Sequence, residues 1–204
     1  MDEQVLVATR RSLHGVAELV IAGPQYRSKG TIRLRARPGG FEGVAVDVRV
    51  DGSELVWDRG RAPLTGTCRQ LALAAGLDVG PPEALYHDTS GVDPDEALNL
   101  DPEAAGLIAD WFARGDAALR LVAPHREPVL WPEHFDLAVS VDEFTYGVSP
   151  GDAAHPLPYA YATPPTPQQG PFWNAPFGAM LPADELGDAA SIADFFAGAA
   201  RRVK

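Results

Sequence analysis

Glu133, His134 and Asp136, in the run WPEHFDL, bring an imidazole and two carboxylates close together in the chain. If this stretch is a strand, residues 134 and 136 point to one side. His134 and Asp136 could then act as an acid/base pair or as two ligands of one metal, with His155 or Asp152 as a third. The run lacks the H-E-x-x-H and paired C-x-x-C spacings of metal sites. A strand-entry histidine bonded to a neighbouring carboxylate accounts for the same residues, so no catalytic or metal-ligating residue is assigned.

A second group is aromatic. Trp131, Tyr146, Tyr159, Tyr161 and Trp173, with Asn174 beside the last, combine apolar bodies with polar tips, as small-molecule pockets do. Plain core packing is the competing reading. With His134 and Asp136 they form the candidate ligand-binding set. Gly147-Val148-Ser149-Pro150-Gly151 has the letters of a nucleophile elbow, whose oxyanion hole uses the backbone N–H after the serine. Here that residue is Pro150, which has none, so the segment reads as a turn.

WPEHFDL, YGVSPGD, PYAYATPP and FWNAPFGAML together resemble an uncharacterised bacterial family, a domain of unknown function with W-P-x-H-F-D-L, S-P-G-D, P-Y-x-Y and W-N-A-P-F-G-A segments. The likeness spans Trp131–Leu181. Glu133 stands where the family's W-P-H-H-F-D form carries a second histidine. The resemblance implies that Trp131, His134, Asp136, Asp152, Tyr159, Trp173 and Asn174 belong to a recurring pattern, and it implies no activity.

The elements that must hold these residues follow from periodicity. Leu6, Leu13, Val16, Ala17 and Val20 recur at helical spacing and predict a helix from Glu3 to Ile21 that stops before Gly23-Pro24, with His14 as a partly exposed structural histidine. Alternation predicts strands over 31–37, 44–50 and 54–58, the first two separated by Pro38-Gly39-Gly40 and the last two by Asp51-Gly52. Arg33, Arg35 and Arg37 would form a solvated stripe with Asp47 as cross-strand partner. Thr67 and Gln70 form a capping box opening a helix to Ala75. Residues 78–100 read as loop. Asp101-Pro102 opens a helix ending near Arg114-Gly115, and 117–123 leans to strand.

After Pro128, Phe135, Leu137, Val139 and Val141 share one strand face, and Phe144, Tyr146 and Val148 alternate again. The prolines between Pro150 and Pro182 leave room for one short extended segment, Tyr159–Thr163, whose tyrosines and alanines face opposite ways. A last helix begins near Ala189, with Ile192, Phe195, Phe196 and Ala199 inward.

The expected fold is α+β: one domain, 1–204, with an antiparallel sheet built from the N-terminal meander and the C-terminal strands, helices packed on it and a proline-rich covering segment. Division into lobes 1–126 and 127–204 is the alternative. Hydrophobic residues at 46% support a folded core, and the net charge of −11 disfavours nucleic acid and anionic membranes as partners. Cys68, the single cysteine, permits no internal disulfide and sits in an apolar run as a small buried group. No leader or membrane span is visible, so a soluble cytoplasmic protein is expected. The reading is a non-catalytic small-molecule binding or interaction domain with an aromatic-lined pocket. A hydrolase or lyase using His134 and Asp136, with or without a metal, is the alternative, and no motif names a cofactor.

Overall fold

The computed structural model describes residues 1–82, 85–86 and 89–203 and has an α+β fold. Helix α1 (Glu3–Gly15), capped by Asp2, does not stop at Gly23-Pro24. It widens into a π-helical segment, Val16–Ala22, and continues as α2 (Gly23–Lys29). The Gly23 N–H reaches back to the Glu18 carbonyl, five residues earlier. That wider turn makes room for a proline ring that an unbroken α-helix would not accept.

Ten short strands follow: β1 (Leu34–Arg37), β2 (Gly40–Gly43), β3 (Val48–Asp51), β4 (Glu54–Trp57), β5 (Gly60–Pro63), β6 (Val129–Trp131), β7 (Asp136–Val141), β8 (Phe144–Ser149), β9 (Tyr159–Thr163) and β10 (Ala179–Pro182). They form one antiparallel sheet in the order β10-β9-β8-β7-β6-β1-β2-β3-β4-β5. Each half is a meander running outward from the centre. There the Leu34↔Leu130 pair of β1 and β6 joins the two candidate lobes into a continuous sheet.

The strand expected over 44–50 is broken. Fully buried Gln25 explains the break, because its amide donates to the Thr31 and Arg33 carbonyls at 3.0 and 2.9 Å. Its Oε1 accepts the Ala45 N–H at 2.7 Å, taking that group out of the ladder. The arginine stripe is solvated as expected, but its partner is Glu42, directly across from Arg35, rather than exposed Asp47. Strand β2 falls between the expected strands 31–37 and 44–50 and so is additional to the expected set, as are strands β5 and β10. As the two edges of the sheet they tolerate Pro63 and Pro182, whose missing N–H costs nothing on an open edge.

Helix α3 (Cys68–Ala74) carries the expected capping box between Thr67 and Gln70. Residues 78–100 are irregular where described, with a single bridge from Ala97 to Thr67; residues 83, 84, 87 and 88 of that loop lie outside the described residues. Helix α4 (Pro102–Val122) has its Asp101 cap but does not end at Gly115, and it absorbs the segment read as a strand over 117–123. Gly115 is present for close approach. A Cβ there would lie 2.2 Å from Val148 Cγ2, so the glycine lets α4 press onto β8. Gly115→Ala should therefore destabilise the protein. Overpacking costs about 1–3 kcal/mol, more than the gain of about 1 kcal/mol from Ala over Gly in a helix. A urea melt showing the variant as stable as the parent would refute this account of the glycine.

Helix α4 lies across β1, β2, β7 and β8, with α1 and α5 (Ala189–Ala200) packed against it. The inward residues of α5 are Ile192, Phe195, Phe196 and Ala199, all buried. None of the described helices is long and apolar enough to cross a membrane.

Candidate functional site

The two faces of the C-terminal half-sheet differ, and register decides which aromatic falls where. Tyr146 and Val148 of β8 face the helices together with Ala160 and Ala162 of β9. Tyr146 stacks on Phe144 with centroids 5.1 Å apart and meets Phe196 of α5 at 5.4 Å, so it belongs to the core. The opposite face carries Asp136, Gly147, Ser149, Tyr159 and Tyr161. It borders a cavity of about 740 Å³, within the range of roughly 300–1,000 Å³ usual for ligand sites.

Gly147 of β8 is the register partner of Tyr161 on β9. A Cβ on Gly147 would lie 2.4 Å from the tyrosine Cζ, so the bare glycine lets the ring lie flat over β8. The hydroxyl thereby crosses one strand and donates to Oδ2 of Asp136 on β7. Asp136 is buried, and its Oδ1 has no hydrogen-bond partner among the described residues. Burial pushes the carboxyl up to about 6, against the opposing effects of the Tyr161 hydroxyl and of His134, while Glu133 adds to the rise. The same burial, with the neighbouring Asp136 charge, holds the Tyr161 hydroxyl well above its ordinary range.

Asp152 is fully engaged. Its Oδ1 accepts the backbone N–H groups of Ala154 and His155 at 2.7 Å each, and its Oδ2 accepts the Tyr159 hydroxyl at 2.5 Å. Burial alone would raise this carboxyl, but those three hydrogen bonds outweigh it and leave it below the usual range. Arg10 of α1 donates to the carbonyls of Pro156 and Asp152, and burial lowers its guanidinium. His14, one turn further along α1, has Nε2 at 2.7 Å from the Pro132 carbonyl and its ring stacked 5.3 Å from Phe135. Burial first, then the Arg10 and His134 charges, bring it down to about 4, so it is neutral at pH 7. A neutral ring that donates from Nε2 leaves Nδ1 as an acceptor.

Comparison of the chain with family models, with curated proteins and with solved structures finds no match. The site is therefore described by its own chemistry.

Of the eight residues of the candidate ligand-binding set, the structure brings His134, Asp136, Tyr159 and Tyr161 to the cavity and leaves four outside it, while Glu133, Ser149 and Asp152, also singled out in the sequence, line it as well. His134 sits in the turn over 132–135 rather than on a strand with Asp136. Its side chain is 57% exposed and 3.7 Å from Glu133 Oε1. Trp131 ends β6, with the Arg33 guanidinium 5.9 Å over its ring. Tyr146 is core. Trp173 packs edge-on to Phe172 on the core side, with centroids 5.1 Å apart. Asn174 brackets β10, donating to the Met180 carbonyl at 3.0 Å and accepting its N–H at 2.8 Å. That pairing replaces ladder bonds an edge strand lacks, so the asparagine is structural.

Among the described residues no three His, Cys, Asp or Glu side chains are grouped to hold a metal. Gly147–Ser149 of the Gly-x-Ser-x-Gly run are the end of β8, so the turn expected there is confined to Pro150-Gly151, with Ser149 Oγ accepting the Gly151 N–H at 3.1 Å. Buried Cys68 has its thiol pushed up to about 12 by desolvation, the opposite of nucleophile activation. Sequence reasoning missed Arg10 and Phe177. Arg10 and His14 carry one available signal, since their i,i+4 spacing puts two titratable groups on one helix face.

Proposed function

We propose that the protein binds a small molecule in the cavity beside Tyr161 and Asp136. The observation that carries this reading is the unpartnered, buried Oδ1 of Asp136. A buried carboxylate with one oxygen unsatisfied among the described residues is unfavourable for the free protein, and a ligand that brings a donor or positive charge beside it offsets that cost. A cytoplasmic setting, with neither nucleic acid nor a membrane as partner, accords with the net charge of −11. The resemblance to an uncharacterised bacterial family adds no activity to this reading.

Thermal-shift screening against a metabolite panel tests it. A true ligand raises the melting temperature by mass action. Tyr161→Phe should weaken that ligand by about tenfold or more, because the carboxylate loses the charge-assisted hydrogen bond that orients it, worth about 1.5–3 kcal/mol. A ligand bound equally well by the parent, Tyr161→Phe and Asp136→Asn would place the binding elsewhere.

The carboxyl at about 6 favours a second reading, general acid/base chemistry of a hydrolase or lyase with Asp136 as base and His134 beside it. Such an activity would rise as pH passes through about 6, where the base ionises, and Asp136→Asn would abolish that limb of the profile.

A further inference from the structure

The cavity offers acceptors and has little to offer an anion. Its guanidinium groups are already committed: Arg10 to the Pro156 and Asp152 carbonyls, and Arg11 to Glu96 and the Gly91 carbonyl. Both tyrosine hydroxyls donate to carboxylates, and His14 is neutral with Nε2 on a carbonyl. On the acceptor side, among the described residues, Asp136 Oδ1 has no partner and Glu133 has His134 at 3.7 Å.

Charge points the same way. Arg11 is balanced by Glu96 and Arg10 lies beside Asp152, so among the described residues Asp136 and Glu133 have no arginine or lysine paired to them. The rings of Tyr159, Tyr161 and Phe177 stand together at the cavity wall, with centroids 6.0–6.4 Å apart. Clustered aromatic faces beside a carboxylate are the surroundings that stabilise a weakly hydrated organic cation. Among the described residues no three carboxylate or histidine side chains are grouped to hold a metal ion in its place.

We propose that the occupant is a small organic cation, an amine or amidine, whose charged end lies beside the Asp136 and Glu133 carboxylates while its body lies against Tyr159, Tyr161 and Phe177. This rests on the binding reading above and narrows it to a ligand class.

Isothermal titration of the whole chain with four probes of one shape tests the class: benzylamine and benzamidine against benzyl alcohol and benzoate. The two cations should bind and benzoate should not. Asp136→Asn should weaken benzylamine by about tenfold or more, the loss expected for a charged hydrogen bond. Phe177→Ala should weaken benzylamine more than benzyl alcohol, which a merely structural role for the ring would not produce. Circular dichroism on both variants establishes that they are folded. Benzoate binding as tightly as benzylamine, with the loss of both on Tyr161→Phe, would overturn the cationic class while leaving the cavity a binding site. Binding of none of the four would also overturn it. In that case a hit from the wider metabolite screen that is lost on Asp136→Asn would keep the binding reading alone.

Discussion

Asp136→Asn is expected to stabilise the free protein at neutral pH by about 3 kcal/mol. The folded carboxyl is raised from its ordinary 3.8 to about 6, mainly by burial. A shift of roughly two units, at about 1.4 kcal/mol each, is the disadvantage of the charged over the neutral form in this site. Asparagine resembles the neutral form and still offers an oxygen to Tyr161. Between about pH 4 and 6 the folded state holds a proton that the unfolded chain has released, so parental stability falls as pH rises through that window and then levels off. The variant lacks this dependence. Urea melts of both proteins should therefore agree near pH 3.5 and separate by about 3 kcal/mol at pH 7. Other titratable groups cancel in the difference, except Glu133 and His134, whose charges act on Asp136. A variant less stable than the parent at pH 7 would show that the carboxylate is not held at a cost, and the argument for a missing ligand would lose its support. Stability given up at one buried charge is a common signature of a functional site.

Phe135→Ala should have the larger and opposite effect, a loss of about 3–5 kcal/mol, as for other buried phenylalanines. The ring is 1% exposed and meets Phe41 and Phe112 edge-on at 5.5 and 5.3 Å, with His14 stacked on it. It is the point where the core touches the cavity. Its backbone is left-handed, with φ of 52°, a conformation that costs an L side chain about 1–2 kcal/mol. Alanine keeps that cost and glycine does not. Phe135→Gly is therefore expected to be about 1 kcal/mol more stable than Phe135→Ala although it removes more atoms. Denaturant melts of the two variants give the order directly. The reverse order would mean that the turn over 132–135 relaxes once the ring is gone.

Local rules written in adjacent residues were legible from the sequence. The caps at Thr67 and Asp101, the inward stripe of α5, and the alternation of Tyr159 and Tyr161 with Ala160 and Ala162 each follow from contacts within a few residues, and the structure keeps them. The antiparallel α+β architecture follows from strands in runs separated by helices, with no alternating βα units. Gly23-Pro24 and Gly115 read as stops because the usual meaning of these residues is local, as it is at Gly76, whereas at these two places it is tertiary. Gly115 serves Val148, which lies in another element, and Pro24 is accepted by a π turn whose seven residues are all buried.

The candidate site shows the same division. Sequence marks Tyr146 and Tyr161 as equivalent aromatics on alternating strands, but the β8–β9 register sets Tyr146 opposite Ala162 under α5 and Tyr161 opposite Gly147 above the cavity. Nothing within either strand decides that, since period two separates the faces without saying which one a helix will cover. Arg10 and His14 come to the cavity from more than a hundred residues away, carried by the packing of α1 on α4. The amino-acid sequence by itself determined which side chains could do chemistry and which local elements would carry them. Tertiary packing alone decided which of them meet, because a site is a coincidence of faces, and faces are assigned only when elements distant in the chain bury their apolar sides together.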